Sequence, residues 1–190
     1  INADNKEFDN WQKLEGKKTS GSEISGIPQT AELLAIGLTM FERPLNLYNI
    51  VEWLNTSINP LSDYFRKKLA EKICKSGGYY NDGCRAFINK QIEEYPGLKE
   101  KIEKFLPDIN QPYFEETDIE VAAIKAFVQN LRKWCAQKIA LNKDGDAAVD
   151  QLGYVINQAD TLLLLLEEFG ETAIPYSSIE AMSSIILNNV

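Results

Sequence analysis

Apolar residues recur along this chain at intervals of three and four, the period of a helix that buries one side. After Pro28, which suits a helix start, TAELLAIGLTMF sets Leu33, Leu34, Ile36, Gly37 and Met40 towards one side. Pro44 restarts the chain, and LNLYNIVEWLNTSI carries Leu47, Ile50, Val51 and Leu54 on a second stripe. Asn59-Pro60 breaks that element and opens LSDYFRKKLAEKICK, whose Leu61, Tyr64, Phe65, Leu69 and Ile73 share a face. The chain turns at GGYYNDG; CRAFINKQIEEY then runs to Pro96 and GLKEKIEKFL to Pro107. After the connector DINQPYFEETD, Thr117-Asp118 is the predicted N-cap of a long helix. Its stripe is Val121, Ile124, Phe127, Val128, Leu131, Trp134 and Cys135. A second long helix repeats Val149, Leu152, Val155, Ile156, Ala159, Leu162, Leu163, Leu166 and Phe169, and a short last one, SSIEAMSSIIL, is expected to cover an open end.

No alternating segment of strand length, bounded by turn residues, competes with this pattern. The predicted fold class is therefore all-α, a single-domain multi-helix bundle of about seven or eight helices over residues 27–190. Residues 1–26 are polar and rich in Gly, Ser and Lys, with Phe8, Trp11 and Leu14 at helical spacing. They predict an arm or linker whose aromatic pair docks on a neighbouring surface.

Composition removes chemistry rather than adding it. The 190 residues contain no histidine, which excludes an imidazole base, Ser-His or Cys-His nucleophile pairs and His-ligated zinc. No other catalytic signature stands out, so the expectation is a non-enzyme with no catalytic residues and no cofactor. The N-terminus lacks the basic-then-apolar pattern of an export signal, and the most apolar run, Leu162 to Leu166, is flanked by Asp160, Glu167 and Glu168. A soluble, cytoplasmic protein without membrane contact is expected. Cys74 and Cys84 flank a loop short enough to close as a disulfide in an oxidising compartment, whereas three free thiols fit a chain without an export signal.

Charge is the more informative property. The chain carries a formal net charge of −8, yet its positive residues are gathered. Across 60–90, Arg66, Lys67, Lys68, Lys72, Lys75, Arg85 and Lys90 face only Asp63, Glu71 and Asp82. Across 121–143, Lys125, Arg132, Lys133, Lys138 and Lys143 face no acid at all. The rest of the chain must therefore hold more than the whole net negative charge. Lys68, Lys72 and Lys75 fall at i, i+4, i+7, and Lys125, Gln129, Arg132 and Lys133 lie opposite the apolar stripe of their helix. Segregated like charges repel by a few tenths of a kcal/mol per helical pair unless an anion offsets them. A phosphate backbone is such an anion. The candidate nucleic-acid-binding residues are accordingly Arg66, Lys67, Lys68, Lys72, Lys75, Lys125, Arg132, Lys133 and Lys138, with Trp134, Tyr79 and Tyr80 as stacking faces for unpaired bases. The competing reading makes the lysine stripes plain solvated faces, Trp134 a core residue and the tyrosines loop packing.

NKDGDAAVDQLG at 142–153 has part of a calcium-loop pattern, with Asn142, Asp144, Asp146 and Asp150 at ligand positions. Ala147 stands where the sharp turn needs Gly, and Gly153 where the bidentate Glu belongs. The expectation is no metal site, only a polar loop whose Asp144 or Asp146 caps the next helix.

FERPLNLYNIVEWL at 41–54 and KDGDAAVDQLGYVINQADTLL at 143–163 are similar to stretches of the C-terminal helical region of the type I-D CRISPR large subunit. In that family the region is also made separately, by internal translation, as the small subunit of the surveillance complex. A chain that opens on Ile1 and reads as a detached helical module fits such an origin. The resemblance covers about a fifth of the chain and rests on motifs such as Arg43-Pro44-Leu45 and Gly145-Asp146. It implies a non-catalytic role in a crRNA-guided ribonucleoprotein complex: holding single-stranded target or displaced DNA and bridging subunits, including copies of itself. It carries no functional residue over. The acidic charge departs from the family and shifts weight towards protein packing. The alternative is a stand-alone acidic helical protein of the immunity or inhibitor type that neutralises a basic partner. A third reading is an exported helical protein clamped by Cys74 and Cys84.

Overall fold

The computed structural model describes residues 29–112, 118–142 and 145–188. The predicted arm over 1–26 and Thr117 lie outside them. A 3₁₀ turn at Gln29–Glu32 leads into α1 (Leu33–Leu38), and a second at Thr39–Phe41 leads out of it. Then come α2 (Leu47–Asn55), α3 (Asp63–Ser76), α4 (Asp82–Glu94) and α5 (Gly97–Phe105). The longest helices, α6 (Val121–Ala140) and α8 (Leu152–Glu168), flank the single turn α7 (Ala147–Asp150), and α9 (Ser178–Asn188) ends the described chain. The architecture is the predicted all-α bundle. One addition was not foreseen: Ile119–Glu120 (β1) and Ala173–Ile174 (β2) pair antiparallel, Ile119 opposite Ile174. A two-residue ladder is too short to leave an alternating pattern in a sequence.

Local signals explain most boundaries. The Asn46 side chain accepts the Tyr48 N–H at 3.0 Å and Asn81 accepts that of Cys84 at 2.9 Å, satisfying first-turn donors of α2 and α4. Helix α3 stops at Gly77, which takes the left-handed conformation (φ 67°) that a residue with a Cβ adopts at a cost. Helix α6 starts differently from expectation. Its N-cap is Glu120, without a side-chain cap bond, and Asp118 precedes β1 instead of capping the helix.

The chain winds so that each helix from α1 to α6 packs on the next, except that α1 also meets α6, α8 and α9. The six-residue α1 is thereby surrounded. Leu33, Leu34, Ala35, Gly37 and Leu38 are all buried, so its apolar residues cover every side and not only the predicted one. The most extensive helix pairing is α6 with α8, and Ile124, Val128, Leu131 and Cys135 on one and Leu152, Val155, Ala159 and Leu162 on the other are all buried. Helix α9 closes over α1, and the Ser183 hydroxyl donates to the Ala35 carbonyl at 3.3 Å. Two stripe residues point the wrong way for the predicted core: Tyr64 is 63% exposed and Phe169 69%. Tyr64 stands in the first turn of α3, and Phe169 is the cap residue that follows α8.

Candidate nucleic-acid interface

Arg66 does not belong to a surface. It is buried, 5% exposed, and its Nη1 donates to the carbonyl oxygens of Leu54 at 2.8 Å and Thr56 at 2.6 Å. Those carbonyls are orphans at the C-terminus of α2, and a guanidinium is the right group to satisfy them. Its Nη2 bonds Asp63, whose carboxyl is held below the usual range by that hydrogen bond and by the charges of Arg66 and Lys67. Arg66 fastens α3 to α2, and the sequence-based assignment of this residue to phosphate is corrected here.

The lysine stripe of α3 is compensated from within. Glu71 sits three residues after Lys68 and four before Lys75, and its oxygens reach their ammonium groups at 3.1 and 2.6 Å. Hydrogen bonds from Lys75 and Lys68 hold the Glu71 carboxyl down to about 2. Lys72, half-buried, rests its Nζ 5.6 Å from the centre of the Phe87 ring, a cation–π contact across to α4. Lys67 is exposed.

Helix α6 has no acidic residue along its 20 positions. Arg132 forks onto Asp160 of α8, Nε to Oδ1 at 2.5 Å and Nη2 to Oδ2 at 3.3 Å, a bidentate pair that ties the two long helices at their surface. Lys138 lies 6.0 Å from the ring centre of half-buried Trp134. Lys133 is exposed and its charge contributes to lowering the Glu100 carboxyl, although Lys104 does most of that. Lys125 is half-buried. Among the described residues, Lys125, Lys133 and Lys138 enter no ion pair.

The two basic helices share no extensive contact. Helix α3 packs on α2 and α4, α6 on α5 and α8, so α4 and α5 intervene along the winding. The candidate stacking residues divide likewise. Tyr79 is 1% exposed and donates to the Pro107 carbonyl at 2.7 Å, with Tyr80 edge-on at 5.1 Å. Burial pushes the Tyr79 phenol well above its ordinary value. That pair is loop packing, and no base can stack on Tyr79.

The polar loop before α7 is organised by Asn142, which accepts the Asp146 N–H at 3.0 Å and donates to the Asp146 carbonyl at 3.0 Å and to Asp150 at 2.9 Å. Asp144 lies outside the described residues. Among those described, no cluster of three or more His, Cys, Asp or Glu is placed to hold a metal ion. Cys74, Cys84 and Cys135 are free thiols, the first exposed and the others buried. No helix among the described residues is long and apolar enough to cross a membrane.

Two concave features went unpredicted. One, of about 530 Å³, opens between the Met40–Arg43 turn, the end of α5 and the start of α6, and is bordered by Glu100, Glu103, Asp108, Asp118 and Glu120, with Arg43 and Lys104 as its cations. The other, of about 620 Å³, lies between α8 and α9 and is mainly apolar. The unbroken leucines from 162 to 166 were its signal, because one helix buried along one side cannot cover five successive apolar positions. Against family models, curated proteins and solved structures, the chain matches none.

Proposed function

We propose that this chain is a non-catalytic helical module of a crRNA-guided nucleoprotein complex, contacting single-stranded DNA through α6 and neighbouring subunits through its acidic remainder. The observation that carries the reading is the charge of α6. It is a 20-residue helix without an acid, on which Lys125, Lys133 and Lys138 stay outside ion pairs among the described residues. Ammonium groups left outside ion pairs are available to phosphate. The internal matching on α3 narrows the interface to α6, with Lys67 and Lys72 as secondary contacts.

The test is retention of a single-stranded DNA oligonucleotide at increasing salt. Each neutralised phosphate contributes roughly −0.7 to the slope of log affinity against log salt for single strands. Replacing Lys125, Lys133 and Lys138 together by Ala should flatten that slope by about 2. Equal slopes for the wild type and the triple variant reject the reading.

A second reading is supported by the acidic cleft. Asp108, Asp118 and Glu120 border it, while Glu103 is paired with Lys99 at 3.7 Å and Glu100 with Lys104 at 2.5 Å. Such a mouth suits a basic segment of a protein partner. Recovery of a basic protein free of nucleic acid, abolished by Asp118→Asn with Glu120→Gln, would favour it.

A further inference from the structure

The apolar cavity between α8 and α9 has the build of a ligand site. Its volume of about 620 Å³ falls within the range of small-molecule pockets, about 300–1,000 Å³. Leu162, Leu166, Ile174 and Ile186 form buried parts of its wall, Met182 is half-buried, and Leu165, Phe169 and Ile185 are exposed at 46%, 69% and 50%. One polar group on that wall is unusual. Gln158 is 8% exposed; its Nε2 leans on the Ile186 carbonyl at 3.5 Å, and its Oε1 is buried with no hydrogen-bond partner. An unsatisfied buried acceptor costs about 1–3 kcal/mol. Gln158 lines the cavity, so a donor carried in on an apolar body satisfies this oxygen once the amide turns towards the ligand.

The charge of the wall selects further. Glu168 is the one charged residue among those lining the cavity, and no Lys or Arg joins it. An anionic head, whether a fatty-acid carboxylate or a phosphate, would sit beside a carboxylate without a counter-charge. We propose that the α8–α9 cavity binds an uncharged, mainly apolar small molecule carrying one N–H or O–H donor, which bonds Gln158 Oε1.

The test uses N-phenyl-1-naphthylamine, a neutral aromatic probe with a single N–H that brightens when removed from water. Wild-type protein should give a saturable signal. Gln158→Leu, which keeps the apolar wall, should bind the probe roughly five- to tenfold more weakly. Indole should displace the probe from the wild type roughly five- to tenfold better than 1-methylindole, and the two should be equal on Gln158→Leu. Ile185→Lys, at an exposed position where folding is safe, should abolish binding. Two outcomes overturn the proposal. One is the absence of a saturable signal from the wild type. The other is equal binding by wild type and Gln158→Leu, with the two indoles equally effective. A signal that disappears as the protein dimerises with concentration also overturns it, by assigning the groove to a second copy of the chain.

Discussion

Gly37 of α1 lies against Phe127 of α6 so closely that a Cβ at position 37 would stand 2.5 Å from the ring's Cζ. The same ring meets Phe41 at 5.6 Å, Trp53 at 5.9 Å and Phe105 at 6.3 Å, all edge-on. Phe127 is therefore held from four sides and cannot swing away. The glycine is where the short buried helix admits the aromatic hub of the core.

Gly37→Ala is expected to destabilise the fold by about 1–3 kcal/mol, the scale of overpacking a filled core. The gain in helix propensity from Ala, about 1 kcal/mol, offsets only part of it. Urea unfolding measures the loss. Adding Phe127→Leu to Gly37→Ala should cost less than the sum of the two single changes, because the smaller side chain makes room for the methyl group.

Arg66→Ala should cost about 1–3 kcal/mol, since two carbonyl oxygens at the end of α2 lose their donor. Arg66→Lys should recover only part, because one ammonium cannot reproduce the fork. Thermal or urea denaturation reads both. A folded Arg66→Lys protein should keep the wild-type salt slope for single-stranded DNA, which separates anchoring from phosphate contact.

The fold was largely legible, because the period of apolar residues in α2, α3, α6 and α8 survives any detail of packing. Leu69, Ile73, Ile124 and Val155 are buried as their spacing requires. Helix α1 was less legible: periodicity assigns one covered side, while tertiary neighbours cover all of them. The charges divide in an instructive way. The position of Glu71 between Lys68 and Lys75 at helical spacing was visible in the sequence, and counting net charge by segment hid it. The pairing of Arg132 with Asp160, 28 residues away, depends on how α6 and α8 pack and has no local signature. The unbroken leucines of α8 signal one wall of the apolar cavity, and the other forms only when α9 folds back beside α8.

Glu71 gives a pH prediction. Its carboxyl is lowered from 4.5 to about 2 in the folded chain by Lys75 and Lys68. A depressed carboxyl contributes stability that is fully present above its unfolded value and is lost as pH falls through the folded value. The contribution of this exposed pair should thus disappear between about pH 4.5 and about pH 2. An NMR titration of the Glu71 side chain should show the low midpoint, and Lys75→Met should move it back towards 4.5.

Thiol labelling should separate the cysteines by burial. Cys74 is exposed, whereas Cys84 and Cys135 are buried, and burial pushes the Cys135 thiol up to about 12. At neutral pH an aromatic disulfide reagent should modify Cys74 quickly and the other two only as the chain unfolds. Cys74→Ser should remove the fast phase without affecting the slow one. A protein that shows one thiol in denaturant instead of three would mean that a disulfide forms after all.

The ion pairs on the two basic helices make opposite predictions for DNA binding when their acids are neutralised. Asp160→Asn releases Arg132 on α6, a helix that already carries Lys125, Lys133 and Lys138. If α6 lies along phosphates, the freed guanidinium adds one contact, and the salt slope for single-stranded DNA steepens by roughly 0.7. Glu71→Gln releases Lys68 and Lys75 on α3, which packs on α2 and α4. Those charges lie outside the α6 interface, so both the affinity and its salt slope should stay nearly unchanged. A steeper slope from Glu71→Gln than from Asp160→Asn would move the interface to α3. No change from either would leave α6 a solvated face.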